Sequence, residues 1–335
     1  TGTVRLVDSE IIGRAGQDNR IESLWRPTDL HMINTWVVDT EIAAHQSSTV
    51  TMEFVRLEQT DDFNRWLATI ACPLVVTDSE FLGRNIVPRV GSGGLQVTGS
   101  QTLDLRDTVF SRLNTALDLP STGALDVRQN VFVDSNVAVR LTGWTFPLLE
   151  DNTIDSRDVG LPSVGIKFDG LRMGGGAVIR RTEFLLEDSD TAFWLDPDVF
   201  QAASPSIIED STMLGVEPTG QYLLSGSGDA GQIDIVLPDL ATDLTVPASS
   251  TFYGGLINIP ETVVLKSGYP QYGITLATNS GGQLTVGAAS IQDLTMQLYN
   301  GSTATYTGTS FVNGPDYNRL SLYNNASTLN LNGVS

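Results

Sequence analysis

Two aspartates of this sequence occupy positions at which a pair of carboxyl groups could act in catalysis. Asp158 and Asp188 each come four residues after the apolar residue that closes one copy of a recurring phrase. If the copies lie on strands that stack about 4.8 Å apart, the two carboxyl groups are roughly 5 Å from each other, near the ~5–5.5 Å of a retaining glycosidase. One aspartate is then expected to act as the acid and the other as the nucleophile.

Other interpretations of this pair stay open, because any two carboxylates on adjacent repeats would show the same spacing. A solvated acidic edge explains the pattern equally well. Oxygen-rich acidic turns also suit Ca²⁺, which is the one cofactor that the sequence leaves open.

A second group of side chains has the chemistry of a carbohydrate-binding surface. When the strand after the recurring phrase is aligned between neighbouring copies, Arg140, Lys167 and Trp194 fall at equivalent outward positions. An indole face offers apolar area to a sugar ring, and the cations can hydrogen-bond to its polar groups. The structural alternative is an ion pair between Asp118 and Arg140, with Trp194 covering the alkyl stem of Lys167.

The sequence offers little material for other kinds of active site. It has two histidines, His31 and His45, and one cysteine, Cys72. A Ser-His-Asp arrangement or a metal site rich in histidine or cysteine is therefore disfavoured. Cys72 lies among apolar residues, which predicts a buried and unreactive thiol.

Composition narrows the classes of partner. The chain of 335 residues has a formal net charge of −20, and 41% of its residues are hydrophobic. The acidic excess argues against nucleic acid and anionic membranes as partners. The apolar fraction is enough for a packed core, yet no stretch approaches the ~18 apolar residues that a membrane span needs. We therefore expect a folded protein that neither binds nucleic acid nor inserts into a membrane.

Short strand-like phrases that enclose a polar turn residue recur along the first two thirds of the chain. Their second members lie 22 to 39 residues apart. The copies are Val7–Ile11, Val38–Ile42, Thr77–Phe81, Arg106–Phe110, Arg128–Phe132, Glu150–Ile154, Arg180–Phe184 and Glu209–Met213. A repeat of this length predicts a solenoid, since no single unit can bury its own apolar face.

The middle residue of each phrase is small and polar, and we expect it to point into the solenoid. Stacked hydroxyl and amide groups can hydrogen-bond to one another or to the turn backbone. The predicted inward column consists of Ser9, Thr40, Ser79, Thr108, Asn130, Asn152, Thr182 and Ser211.

One segment departs from the strand pattern and predicts a short inserted helix. Thr60 and Asp61 are candidate N-terminal caps. The apolar residues that follow at helical spacing are Phe63, Trp66, Leu67 and Ile70.

The recurring phrase resembles that of the right-handed parallel β-helix, the pectin-lyase-like superfamily, over residues 1–215. The resemblance implies an all-β fold in which each coil contributes three short strands that stack in parallel. The motifs of the best-known enzymes of that superfamily are missing: there is no "WIDH"-like string and no set of "NTD", "DD" and "HG". The resemblance therefore implies the fold without identifying an activity.

Residues 216–335 carry few charges and are rich in Gly, Ser, Thr and Asn. Two similar phrases, Leu298–Gly308 and Leu322–Gly333, show that repetition continues there. This region resembles the passenger β-helices of bacterial adhesins and the shafts of tailspikes. The resemblance implies a continued solenoid or a β-rich cap, and tailspike relatives imply a homotrimer or a larger assembly.

Two functions follow from these patterns. The favoured hypothesis is a non-catalytic structural or adhesive module of an extracellular, cell-surface or virion-surface protein, with a glycan or surface polysaccharide as its partner. The alternative is a polysaccharide-degrading enzyme, either a tailspike-like glycosidase or a polysaccharide lyase, which acts on one outer face. In either enzyme Arg140, Lys167, Trp194, Asp158 and Asp188 would form the groove. Asp158 and Asp188 would be the acid and nucleophile of a hydrolase, whereas a basic residue would abstract the proton in a lyase.

Overall fold

In the computed structural model the chain divides into two units, Thr1–Ile166 and Lys167–Ser335. Up to residue 200 the described residues are 2–23, 28–45, 48–84, 92–99, 101–120, 123–142, 146–157, 163–168, 177–186 and 190–195. Beyond residue 200 the described residues are those of the strands given below, together with Gly308, Ser327 and residues 333–335.

Every regular element that the structure describes is a strand. Those of the first unit are β1 (Gly2–Val7), β2 (Glu10–Ile12), β3 (Arg20–Ser23), β4 (Thr28–Ile33), β5 (Trp36–Val38), β6 (Glu41–Ala44), β7 (Thr49–Glu53), β8 (Arg56–Glu58), β9 (Arg65–Ile70), β10 (Leu74–Thr77), β11 (Glu80–Leu82), β12 (Ser92–Val97), β13 (Leu103–Arg106), β14 (Val109–Ser111), β15 (Thr115–Leu119), β16 (Ala124–Arg128), β17 (Val131–Val133), β18 (Val137–Leu141), β19 (Phe146–Glu150) and β20 (Thr153–Asp155). Strand β21 (Val164–Phe168) contains the division between the units.

The strands of the second unit are β22 (Val178–Arg180), β23 (Glu183–Leu186), β24 (Thr191–Leu195), β25 (Ser206–Glu209), β26 (Thr212–Gly215), β27 (Tyr222–Asp229), β28 (Ile233–Ile235), β29 (Leu244–Val246), β30 (Ser249–Tyr253), β31 (Leu256–Ile259), β32 (Val264–Ser267), β33 (Ile274–Asn279), β34 (Gln283–Val286), β35 (Ser290–Gln292), β36 (Leu294–Tyr299), β37 (Thr303–Thr307), β38 (Ser310–Val312), β39 (Arg319–Tyr323) and β40 (Thr328–Asn332).

The first unit is a parallel β-solenoid, as the repeat predicts. Its first sheet has the strand order β1-β4-β7-β10-β13-β16-β19, its second sheet β2-β5-β8-β11-β14-β17-β20, and its third sheet β3-β6-β9-β12-β15-β18. The chain therefore visits the three sheets in turn, and each visit adds one strand beside the strand of the previous coil. Pairing is parallel and in register, for example Leu74 with Leu103 and Leu103 with Leu125.

The second unit uses the same parallel pairing. Its strand orders are β22-β25-β28, β23-β26, β24-β27-β30-β33-β36-β39, β29-β32-β35-β38 and β31-β34-β37-β40. The boundary at residues 215 and 216, which the change in composition predicts, stays a prediction.

The core of the first unit lies between the three sheets and includes a column of identical side chains at equivalent positions. The rings of Phe81 and Phe110 stack at 4.7 Å between centroids, and those of Phe110 and Phe132 at 5.1 Å. All three side chains are buried. Each buried phenylalanine stabilises the fold by about 1.5–3 kcal/mol, so that one aromatic column ties three successive coils together.

The corner between the first and second sheets is the most regular feature of the unit. We call it the first corner: two residues, one with a left-handed backbone and one that points inward, separate each strand of the first sheet from the next strand of the second. The left-handed residues of the seven coils, with φ between 47° and 57°, are Asp8, Asn34, Phe54, Asp78, Asp107, Gln129 and Asp151. They recur every 20 to 29 residues.

This column corrects the register of one copy of the phrase. Val38–Ile42 lies at the next corner, between β5 and β6, although Asp39 has a left-handed φ of 50° as well. The first corners of the two early coils are instead formed by Asn34 and Phe54 with the residues that follow them. A short Asp-Thr turn fits either corner. Because Phe54 is apolar, the first corner of its coil does not match the phrase, so the phrase alone could not distinguish the two corners.

The predicted helix at residues 60–71 is wrong. Arg65–Ile70 form β9, which pairs in parallel with β6 and β12. Leu67, Ala68 and Ile70 are all buried in this strand. Helical spacing was outweighed because two neighbouring strands offer hydrogen-bond partners to this backbone, while an isolated helix of one or two turns is marginal.

Candidate functional site

The polar column inside the first corner is structural. Ser79, Thr108, Asn130 and Asn152 are buried there, and Thr182 is buried between β22 and β23, which confirms the predicted inward orientation. Thr40 is buried as well, but at the corner between β5 and β6. Ser9 is half-buried, and Ser211 lies outside the described residues. In the coils whose corners the phrase missed, the inward residues are Thr35 and Val55, and both are buried.

Two asparagines of this column form a ladder between coils. Asn130 Nδ2 donates to Asn152 Oδ1 at 3.1 Å and to the carbonyl of Leu105 at 3.1 Å. The oxygen of Asn130 accepts from the backbone amide of Thr108, and that of Asn152 from the amide of Asn130. Amide groups suit this position because each one donates and accepts at once, so no buried backbone group of the turn is stranded.

Of the five residues that the sequence predicts for a site, the structure describes three. Asp158 and Asp188 lie outside the described residues, so the catalytic pair stays a prediction. Arg140, Lys167 and Trp194 each occupy the fourth position of their strands β18, β21 and β24, and all three are half-buried. They belong to different units: Arg140 to the first, Lys167 and Trp194 to the second.

Arg140 has an acidic neighbour, as the structural alternative expects. It is in register with Asp118, and Arg140 Nη1 lies 4.0 Å from Asp118 Oδ2. Asp118 is buried, and its two carboxylate oxygens accept hydrogen bonds from Gln96 at 2.9 Å and Thr142 at 3.1 Å. The carboxylate is thus held in the protein, and a ligand would meet the Arg140 guanidinium rather than Asp118.

Two carboxylates of the first unit are paired with arginines two residues further along the chain. Arg106 binds Asp104 at 2.6 Å, and Arg157 binds Asp155 at 2.7 Å. The hydrogen bond from Arg157 holds the pKa of Asp155 below its usual value. Asp155 therefore stays ionised at neutral pH, which is the opposite of what a general acid requires.

The single thiol and the metal-binding residue types show no sign of reactivity in the described parts of the chain. Cys72 is buried, and burial raises its pKa to about 12. No group of three His, Cys, Asp or Glu side chains lies together among the described residues. No described helix is long and apolar enough to cross a membrane. Ca²⁺ stays a hypothesis from the sequence.

An open cleft at the first corner of the early coils is a site that the sequence did not predict. It has a volume of about 360 Å³ and is lined by Ser9, Asn34, Thr35, Trp36, Phe54 and Arg56. The guanidinium carbon of Arg56 lies 5.7 Å from the ring centroid of Trp36. The available signal was that Trp36 and Phe54 stand where the other coils carry polar residues or valine and no aromatic ring, but it could be read only after the register was known.

Comparisons with known proteins give one structural similarity. No family model and no curated protein matches the chain. Among solved structures, it is similar to the crystal structure of the Dettilon tailspike protein (gp208), with 11% sequence identity and a TM-score of 0.39 over 88% of this chain. The match covers 62% of that protein, so the chain spans less than two thirds of its length.

Proposed function

We propose that this chain is a non-catalytic β-solenoid module of an extracellular, cell-surface or virion-surface protein, which provides a rigid support and contacts glycans on its outer face. The observation that carries the proposal is the first corner. There the polar backbone and side-chain groups are used to hold one coil on the next.

The corner backbone supports a rigid structural role. Amides of the left-handed residues donate to the strand end of the next coil, as from Asp8 to the carbonyl of Ile33 at 3.1 Å. A second amide at each corner donates back to the previous coil, as from Trp36 to the carbonyl of Ser9 at 2.9 Å. Because each coil is bonded in both directions, opening one corner exposes unpaired groups on two neighbours.

The charges support a glycan rather than a polyanion as partner. The net charge of −20 opposes acidic polymers, and the described outer carboxylates near Arg106 and Arg157 are already neutralised by ion pairs. Sugar hydroxyl groups need hydrogen-bond partners, and the faces of sugar rings need apolar contacts. A surface whose carboxylates are paired with arginines can provide both. Assembly into a homotrimer or a larger oligomer belongs to the proposal as well, and sedimentation velocity on the full chain tests it.

A polysaccharide panel tests the absence of catalysis. We expect the full chain to release no reducing ends from any polymer of the panel, while glycan-array binding is detectable. Asp158→Asn and Asp188→Asn should leave both readouts unchanged. Asp78→Asn, at an exposed left-handed corner position that asparagine also favours, is the matched control.

Reducing-end release that disappears in Asp158→Asn or Asp188→Asn, but persists in Asp78→Asn, would overturn the proposal in favour of a glycoside hydrolase. Release that none of the three variants affects would also overturn it and would exclude the predicted pair as the catalytic residues.

A further inference from the structure

Two of the side chains that line the open cleft are exposed aromatic residues. Trp36 is 40% exposed and Phe54 is 55% exposed. Both line the cleft, which belongs entirely to the first unit. Large aromatic side chains usually stabilise a fold by being buried. Rings that stay exposed at a concave site are therefore a feature of ligand-binding surfaces.

Phe54 occupies its position at a conformational cost. Its φ is 54°, in the left-handed region that most residues avoid and that Asp or Asn tolerates best. Asp8, Asn34 and Asp78 stand at the equivalent corner of neighbouring coils. A bulky residue that is both strained and exposed gives the fold nothing at this corner, so its ring is explained by contact with something outside the chain.

The indole of Trp36 is held in one orientation. Its Nε1 donates to Glu58 Oε2 at 3.2 Å, and the same oxygen accepts from Arg56 Nε at 3.1 Å and Nη2 at 3.0 Å. The guanidinium of Arg56 lies over the ring, which leaves the other face for a ligand. A ring fixed in this way loses little conformational entropy when a ligand stacks on it.

The charges around the cleft select against anionic ligands. Arg56 is neutralised by Glu58 and by Glu80, whose Oε2 lies 3.5 Å from Arg56 Nη1. Asp8 Oδ1 accepts from Asn34 Nδ2 at 2.6 Å, so that a third carboxylate contacts the cleft lining, in which Arg56 is the one cationic side chain. A carboxylated or sulfated sugar would meet repulsion here, whereas a neutral sugar would not.

We infer that the cleft at Trp36 and Phe54 binds a neutral saccharide, whose apolar ring face stacks on these two side chains. Asn34 Oδ1 and Ser9 Oγ belong to side chains that line the cleft and can accept hydrogen bonds from hydroxyl groups of the sugar. The inference rests on the proposed glycan-binding role and assigns that role to one site, which is distinct from the surface of Arg140, Lys167 and Trp194.

Titration of the full chain with cellohexaose, maltohexaose and mannohexaose, and with hexagalacturonate as the anionic probe, tests the inference. We expect one or more neutral hexasaccharides to bind, and Trp36→Ala to weaken that binding at least about tenfold, because the sugar loses its main apolar contact. Val75→Ala removes another exposed apolar side chain, on the outer face of β10, and should leave binding unchanged.

Phe54→Asn separates binding from folding. Asparagine suits a left-handed φ better than phenylalanine, so this variant should raise the melting temperature while it weakens saccharide binding. A merely misfolded variant would lose both together. Trp194→Ala should keep the affinity of the unchanged chain.

The outcomes distinguish the site from the function. If neutral sugars bind and only Trp194→Ala abolishes binding, the cleft is wrong and the glycan-binding function stands. If hexagalacturonate binds as tightly as the neutral sugars, the charge argument is overturned. If the unchanged chain binds no saccharide on a glycan array, both the inference and the proposed glycan contact fail.

Discussion

Single residues at the first corner show that the left-handed backbone conformation is kept even in coils whose side chain does not favour it. Asp8, Asn34 and Asp78 suit a left-handed φ because a short polar side chain tolerates it. Gln129 and Phe54 adopt the same φ without that preference. Inter-coil hydrogen bonds of the corner therefore set the conformation, and the residue type is free to change where another purpose requires it.

Loss of the Asn130 side chain from the polar column is expected to be costly. Asn130→Ala leaves the buried amide of Thr108 and the carbonyl of Leu105 without partners. At about 1–3 kcal/mol for each stranded group, the free energy of unfolding should fall by roughly 2–5 kcal/mol in urea titrations. Asn114, which is exposed and bonded to Asn136, is the control, and Asn114→Ala should cost far less. Equal losses in the two variants would mean that the ladder is dispensable.

Asp155 is expected to contribute to the loss of stability in acid. Its folded pKa lies below the unfolded value because Arg157 donates to it. The stabilisation is therefore present above the unfolded pKa of about 3.9 and disappears as the pH falls through the folded pKa. Arg157→Gln should lower stability at pH 7 but have little effect near pH 2. Melting temperatures at both pH values check this, and a loss of equal size at both would refute the linkage.

Among the elements, β9 shows how neighbours decide between helix and strand. The loop that leads into it is fixed by Arg65, whose Nη2 binds Asp61 Oδ2 at 2.6 Å. Asp39 accepts from Thr60 through its backbone amide and its hydroxyl group. Thr60 and Asp61, the candidate helix caps, thus bind a neighbouring turn and Arg65 instead. Their partners are distant in sequence, which is why local spacing predicted the wrong element.

Removal of Arg65 should destabilise this region strongly. Both partners of the Arg65–Asp61 pair are buried, so Arg65→Ala leaves an unpaired carboxylate inside the fold. We expect a loss of about 3–5 kcal/mol in the free energy of unfolding. Arg106→Ala, which breaks an exposed pair with Asp104, should cost only about 0–1 kcal/mol. Comparable losses for the two arginines would contradict the buried pair as the anchor of β9.

For the molecule as a whole, the repeat predicted more than the site did. Alternating apolar residues around a polar turn predicted the stacked coils and most of the inward column, because both depend on residues close in sequence. Thr40 was assigned to the wrong corner, and Thr35 and Val55 were missed. The cleft of Trp36 and Phe54 could not be predicted in the same way. It depends on which residues meet across coils. The register of the early coils could not be read from the sequence, because apolar Phe54 replaces the polar residue expected at that corner.

The constant length of the first corner also bears on how such a molecule could be extended. Two residues link the first and second sheets in every coil of the first unit, whereas two to nine residues link the second sheet to the third in its first six coils. A segment of chain from one left-handed residue to the next therefore begins and ends at equivalent positions of two successive coils, with the chain running in the same direction. Tandem duplication or deletion of the corresponding gene segment would add or remove a whole coil and leave the joint unchanged.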